Sequence, residues 1–339
     1  TKKDAKDELR TIEDQVSKGC YIPLNKASTF KEVAEQWLEF KKPYIRETTW
    51  NVYNIHVDHH FKELADVKIS KVTTPAVESW ISKRQGEKMN LSTMRKILVT
   101  FNQVMAYAVR HKMIDSNPVR DAERPRKSIN DNTGGGITVL DPGQIRALLE
   151  ATPGQKYKTL FMTAIMTGAR QGEILGLKWS DVDFKTKQIH IRRTFNHQRF
   201  FPPKTRESIR AIDCAPSLIQ ALASWKLVSP QKKDDALVFA NEAGEPMNYS
   251  NMVQRHFQKA LKTASIERIR FHDLRHTYAS LLIQQGENIK YIQSQLGHSS
   301  PTVTLNVYAH LMKSENQAAA CRLENTIFSV DGSKMVAEN

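Results

Sequence analysis

The sequence predicts a mainly α-helical protein with one small antiparallel β-sheet, built as two domains. Three observations carry this reading. Four segments between residues 29 and 118 repeat their apolar residues at helical spacing, residues 119–137 show no apolar period and include three consecutive glycines, and beyond them only "KQIHIRRTF" and "ESIRAIDC" read as strands. At 339 residues the chain can form two domains that each bury a core.

The elements follow in order. Residues 1–28, "TKKDAKDELRTIEDQVSKG" onward, mix charges at helical spacing with few large apolar residues and read as a connector helix. The chain begins at Thr1 rather than Met, so an N-terminal piece is expected before it. In "TFKEVAEQWLEF", Thr29 as N-cap and Glu32 three residues on form a capping box, with Val33, Trp37 and Phe40 predicted on one face. "TTWNVYNIHVDHHF" brings Trp50, Tyr53 and Val57. "TPAVESWISK" opens on Pro and carries Val77, Trp80 and Ile81. "STMRKILVTFNQVMAYAVRH" aligns Met94, Ile97, Leu98, Phe101, Met105 and Ala108. These four helices make a compact domain over 29–118, and 119–137 form a basic, Gly-rich linker that reads equally as a strap along an acidic partner or as a plain tether. The second domain, 138–328, starts with the helix "LDPGQIRALLEAT" and two helices broken at Gly168, places its two strands around "FFPPKT", and ends in helices from "PSLIQALASWKLV" to "SPTVTLNVYAHL"; 329–339 read as a flexible tail.

Composition narrows the function. Fifty Lys and Arg against 36 Asp and Glu give a formal charge of +14, and an excess of that size in a globular chain points to a polyanion, nucleic acid above all. Cys20, Cys214 and Cys321 form no C-x-x-C pair, which fits a reducing cytoplasm without disulfides or a Cys-based zinc site. The most apolar stretch, "LFMTAIMTGA", is too short to span a membrane, and no membrane partner is expected. The phosphate-loop pattern G-x-x-x-x-G-K-[ST], the dinucleotide pattern G-x-G-x-x-G and the nucleophile elbow G-x-S-x-G are all absent from the sequence.

The residues that could carry chemistry lie beyond Gly168. "FHDLRHTYAS" sets His272 and His276 one helical turn apart with Asp273 between them, close to the H-E-x-x-H zinc signature. Arg275 shares that face, and a guanidinium beside a divalent ion opposes its binding, so no metal is expected. The alternative is that His272 and Arg275 point together at an anion such as a phosphodiester. "TGARQGEILGL" places Arg170 at a helix start with Glu173 three residues on, either as a structural ion pair or with Arg170 aimed at a ligand phosphate. Lys204 sits in the turn between the strands, where it either reaches a reacting group or is solvated. His298 follows Gly297, and Tyr308 stands ten residues later, about two turns into a helix opened by Ser300 and Pro301.

Taken in order, Arg170 in TG-x-R-x-x-E, Lys204 in a hairpin, His272-x-x-Arg275, LGH with His298, and Tyr308 resemble the tyrosine recombinase family, specifically the integrases of phages and conjugative transposons. The likeness covers about 138–328, and the helical domain before it looks like the family's core-binding domain. The opening helix looks like the tail of an arm-binding module. The resemblance implies a site-specific DNA recombinase that needs no cofactor. Tyr308 would attack a phosphodiester to leave a 3′-phosphotyrosine and a free 5′-hydroxyl, and Arg170 and Arg275 would clamp the nonbridging oxygens. Lys204 would protonate the leaving oxygen, while His272 and His298 would assist proton transfer. Glu173 would hold Arg170, and His276 would support the site or pack beneath it.

The same resemblance implies double-stranded attachment sites as substrate, a homotetramer on paired sites, accessory DNA-bending or directionality proteins, and the cytoplasm of a bacterial host. Arg95 and Lys96 are the candidate contacts with the duplex; the other reading is a solvated face. After Tyr308, the apolar Leu323, Ile327 and Phe328 dock either on this chain or on a neighbour. Three rival readings remain at this stage: a type IB topoisomerase, a sequence-specific DNA-binding protein without catalysis and a metal-dependent hydrolase.

Overall fold

The computed structural model describes residues 28–126, 138–196, 198–202, 208–298 and 300, together with the single residues Lys6, Leu9, Arg10, Glu13, Thr302, Cys321, Leu323, Glu324, Thr326 and Ile327. The connector over 1–28 lies outside these residues apart from five positions, as do most of the linker, the helix predicted around Tyr308 and the 329–339 tail. The chain divides into two compact units, Thr1–Thr133 and Gly134–Asn339.

In the first unit, α1 (Phe30–Lys41) starts as its sequence requires: the Glu32 amide donates to Thr29 Oγ1 at 3.3 Å and the Thr29 amide to Glu32 Oε2 at 2.8 Å. Its buried stripe is Phe30, Val33, Ala34, Trp37 and Leu38, the i, i+3, i+4, i+7 series. Phe40, expected on that stripe, is instead 41% exposed, because it falls two positions past Leu38, at the edge of the buried face. Helix α2 (Glu47–Ile55) runs into a π turn over His56–His60 instead of continuing to Phe61 as a regular helix. The wider turn, closed by the Phe61 amide on His56 O, sets His56 and Phe61, five residues apart, on the inward side with Val57, and His56 Nδ1 meets Thr100 Oγ1 at 2.7 Å. Helices α3 (Thr74–Gly86) and α4 (Leu91–Arg110) bury the residues expected of them, and Phe30, Phe61 and Phe101 form edge-to-face or tilted ring pairs at 4.9–5.4 Å. The predicted linker begins inside this unit: α5 (Pro118–Asp121) is capped by Asn117, and Val119 and Ala122 pack into the core.

The second unit opens with α6 (Pro142–Ala151), capped by Asp141, and α7 (Gln155–Thr167), which stops at Gly168 in a left-handed conformation, φ +58°. The short α8 (Gln171–Leu175) follows. A three-stranded antiparallel sheet has the order β1 (Val182–Asp183), β2 (Gln188–Ile191), β5 (Arg210–Asp213), with Ile189 opposite Ile212 and Ile191 opposite Arg210. The two expected strands are thus β2 and β5. The segment between them is more than a Pro-rich turn, since β3 (Thr194–Asn196) and β4 (Arg199–Phe201) make a hairpin of their own. Then come α9 (Pro216–Val228), a helical stretch formed by α10 (Tyr249–Met252), a π turn (Val253–Phe257) and α11 (Gln258–Thr263), and finally α12 (Asp273–Gln284) and α13 (Ile289–Leu296). Phe161, Phe257 and Phe271 centre a core closed by Trp179, Ile189 and Ile212. Leu323 and Ile327 are 62% and 61% exposed, so self-packing does not cover these two apolar residues. No helix among the described residues is long and apolar enough to cross a membrane.

Candidate active site

The site is built on the C-terminal end of α13. A helix leaves its last carbonyls without intrahelical partners, and the aligned peptide dipoles make that end electronegative. Here three successive carbonyls are each taken by an arginine from a different element. Arg210 Nε of β5 donates to Gln295 O at 2.6 Å, Arg275 Nη2 of α12 to Leu296 O at 2.6 Å, and Arg170 Nη2, at the start of α8, to Gly297 O at 3.0 Å. Gly297 ends the helix at φ +64°, a conformation that glycine adopts without steric cost. Arg275 also donates Nη1 to Gly168 O at 2.6 Å, so it ties the break after α7 to the end of α13. A side chain on Gly168 would press on Tyr278 Cδ1 at 2.5 Å and on Leu296 at 2.9 Å.

Glu173 joins two of these arginines. Its Oε1 accepts from Arg170 Nη1 at 2.9 Å and Arg210 Nη1 at 3.1 Å, and its Oε2 from Arg210 Nη2 and the Arg170 amide at 2.9 and 2.8 Å. The Glu173 and Arg210 side chains are only 5% and 6% exposed, whereas Arg170 is 38% exposed. Burial pushes the Glu173 carboxyl up, but Arg210 first and Arg170 second outweigh it and hold the group below the ordinary carboxylate range. Removing one partner of such a buried pair typically costs about 3–5 kcal/mol, because the other charge is left unpaired.

The histidines stand in the same field. His298 follows Gly297, and burial, then Arg275, Arg170 and Arg210, lower it to about 4. His272 caps the start of α12 and is lowered to about 4 by burial, then by His276 and Arg275. His276, half-buried and with its ring perpendicular to that of His272 at 5.2 Å, is lowered chiefly by burial. Near neutral pH these imidazoles are therefore uncharged, and each can accept one proton from a neighbouring group. Asp273 turns away from a metal-binding role: Arg270 grips it at 2.7–3.2 Å, and it is buried. Among the described residues no group of three or more His, Cys, Asp and Glu is placed to hold a metal ion.

The structure thus brings together Arg170, Glu173, Arg275 and His298 at one helix end, with His272 and His276 at the start of α12. Lys204 and Tyr308 lie outside the described residues. Arg95 and Lys96 are exposed on α4 in the other unit, and Arg95 donates to Pro125 O at 3.3 Å. Arg210 was not among the expected site residues. The signal for it was its position two residues before Ile212 on a strand, which places it on the inward face.

Three guanidinium cations on one helix end, two of them sharing the Glu173 carboxylate, with neutral imidazoles beside them, are chemically suited to hold an oxyanion. Residues 138–315 match the phage integrase family and residues 30–124 the phage integrase central domain; the chain belongs to this family, the tyrosine site-specific recombinases, and acts on DNA. It is 26% identical to a XerC-like tyrosine recombinase of Caldanaerobacter subterraneus, over 94% of this chain and 88% of that one. It is 24% identical to the ICEBs1 integrase of Bacillus subtilis, over 84% and 79% of the two chains. Its fold is similar to the Tn1549 transposon integrase in complex with a circular intermediate DNA, with TM-score 0.74, 21% identity, and 88% and 99% of the chains covered. It is also similar to a lambda integrase tetramer bound to a Holliday junction, with TM-score 0.63, 18% identity, and coverage of 82% and 80%.

Proposed function

We propose that this recombinase cuts and rejoins DNA through Tyr308, integrating and excising a mobile element. The Tyr308 hydroxyl attacks the scissile phosphorus, the bond to the 5′-oxygen breaks, and the chain is left joined to DNA as a 3′-phosphotyrosine. Lys204 supplies the proton to the departing 5′-oxygen. Arg170 and Arg275 hold the nonbridging oxygens as charge grows on phosphorus, while His272 and His298 donate to the phosphate and pass protons. The reverse attack by a 5′-hydroxyl reseals the strand, so the phosphodiester energy is kept in the covalent intermediate and no nucleotide is consumed.

The observation that carries this reading is the docking of Arg170 and Arg275 on the adjacent carbonyls Gly297 and Leu296, next to His298. Two fixed bonds orient each planar guanidinium before substrate arrives, and preorganised cations of this kind stabilise a developing anion without reorganisation. An element-borne role draws support from relatives described as the ICEBs1 integrase and as the phiRv2 prophage integrase of Mycobacterium tuberculosis. In this reading residues 29–118 bind the core site, with Arg95 and Lys96 of α4 meeting the duplex, and 138–328 carry out the chemistry. Four copies work on two paired sites in the bacterial cytoplasm, with the exposed Leu323 and Ile327 docking on a neighbouring copy.

The test is Tyr308→Phe on a nicked suicide duplex carrying the element's junction. The covalent adduct should disappear while DNA affinity stays within about threefold, since only one hydroxyl is lost. An undiminished adduct rejects the assignment.

A further inference from the structure

We propose that Arg210 is a positioning residue for strand cleavage: through Glu173 and the Gln295 carbonyl it sets the orientation of Arg170 and of the helix end that holds Arg275. The inference rests on the cleavage reading above. Arg210 rises from β5, and its fork covers both oxygens of Glu173, at 3.1 and 2.9 Å, while its Nε holds Gln295 O at 2.6 Å. Its own side chain is 6% exposed, against 38% for Arg170. Four of the five N–H donors of Arg210 are taken, by Gln295 O, Ser208 O and both oxygens of Glu173, so this guanidinium is committed to the protein, whereas Arg170 faces outward. Both oxygens of Glu173 that Arg210 grips are also those that receive Arg170, one from its Nη1 and one from its amide. Moreover, a Cβ on Gly297 would meet Arg210 Nη1 at 2.9 Å, so the end of α13 rests directly on this guanidinium. One side chain thus spans the carboxylate that aims Arg170 and the helix terminus that anchors Arg170 and Arg275.

A purely structural ion pair would support the fold without affecting chemistry, and the two cases separate on a proton. Without Arg210, burial acts on Glu173 opposed only by Arg170, so the carboxyl is protonated at higher pH than in the unaltered chain. A protonated carboxyl loses acceptor capacity and with it the grip on Arg170. Cleavage in an Arg210 variant should then recover as pH rises, a dependence that a merely less stable protein does not acquire.

The experiment uses the full chain and a nicked duplex carrying the element's junction, with single-turnover adduct formation, DNA affinity and thermal midpoint followed between about pH 6 and 9. Arg210→Gln should slow adduct formation about 100-fold, the scale of a displacement near 1 Å, with DNA affinity within about threefold. Its rate should rise with pH more steeply than that of the unaltered chain. Arg210→Lys keeps a cation but not the fork, and should lose about tenfold. The double variant Arg210→Gln with Glu173→Gln removes the unpaired carboxylate, so it should regain thermal stability and remain slow. An unaltered rate in Arg210→Gln, a parallel pH profile, or a double variant restored to full rate overturns the inference. If the unaltered chain forms no adduct, or Tyr308→Phe keeps it, the cleavage reading itself fails and the inference falls with it.

Discussion

Arg170 and Arg275 dock on neighbouring carbonyls of one helix end, Arg170 on Gly297 O at 3.0 Å and Arg275 on Leu296 O at 2.6 Å. They share an anchor but differ in depth: Arg275 is 4% exposed, whereas the Arg170 side chain is 38% exposed.

That difference predicts unequal losses of stability. Arg275→Ala leaves two buried carbonyls, Gly168 and Leu296, without these donors, at about 1.5–3 kcal/mol for each bond to a charged group. Arg170→Ala removes a side chain that is itself partly in solvent, and Glu173 keeps Arg210. Calorimetry of the full chain should show a midpoint drop of about 10 °C for Arg275→Ala and under about half of that for Arg170→Ala. Equal drops would contradict the burial argument.

Three glycines separate backbone strain from crowding. Gly86 ends α3 without a positive φ and with open space around it, so Gly86→Ala should be neutral or stabilising by about 0.4–1 kcal/mol. Gly286 has φ +84° and open space, and its Ala variant should lose about 1–2 kcal/mol from the left-handed conformation alone. Gly168→Ala adds the contacts with Tyr278 and Leu296 and should lose about 1–3 kcal/mol more. It should also slow adduct formation, because Gly168 O is an anchor of Arg275. Chemical denaturation of the three variants checks the ranking.

The histidines predict a loss of stability in acid. His272 and His298 are lowered to about 4 in the fold, against 6.5 for the ordinary side chain. Above pH 6.5 they are neutral in both folded and unfolded chains. Between pH 6.5 and 4 the unfolded chain binds protons that the folded one does not, so stability falls across that window and levels below it. A bound oxyanion favours the imidazolium, and inorganic phosphate should therefore raise both midpoints in a histidine NMR titration. Midpoints that stay near 4 in saturating phosphate would argue against an anion held beside these rings.

Guanidinium clamping makes two predictions for DNA. Adduct formation should be unchanged by excess EDTA, since Arg170 and Arg275 supply the charge stabilisation that a divalent ion would otherwise provide. Affinity for duplex should fall by about 10³-fold or more between 50 and 200 mM salt, as expected when a chain with formal charge +14 displaces counterions from several phosphates. Adduct assays with chelator and salt-dependent binding isotherms test these separately.

Much of the fold was readable because its cues are local. Thr29 and Glu32 lie one turn apart, and the buried residues of α4 follow a single helical period, so both could be placed from neighbouring residues alone. The misplacements arose where distant packing decided. Phe40 was set on the core stripe by spacing but is 41% exposed, and the π turn at His56–His60 brings His56 and Phe61, five residues apart, into the core together. The β3–β4 hairpin was missed because its short strands carry little alternation.

The sequence by itself determined the helical class, the electropositive balance and the order of Arg170, His272, Arg275 and His298, since each depends on composition or on residues a few positions apart. Only the tertiary structure decided what these side chains hold. The bonds converging on the end of α13 come from residues 21 to 127 positions away, and Arg210 reaches Glu173 across 37. The physical reason is that a helix end exposes carbonyls that local sequence cannot satisfy, and the buried Glu173 carboxylate, with Arg170 from its own helix start, takes its second cation from a distant strand.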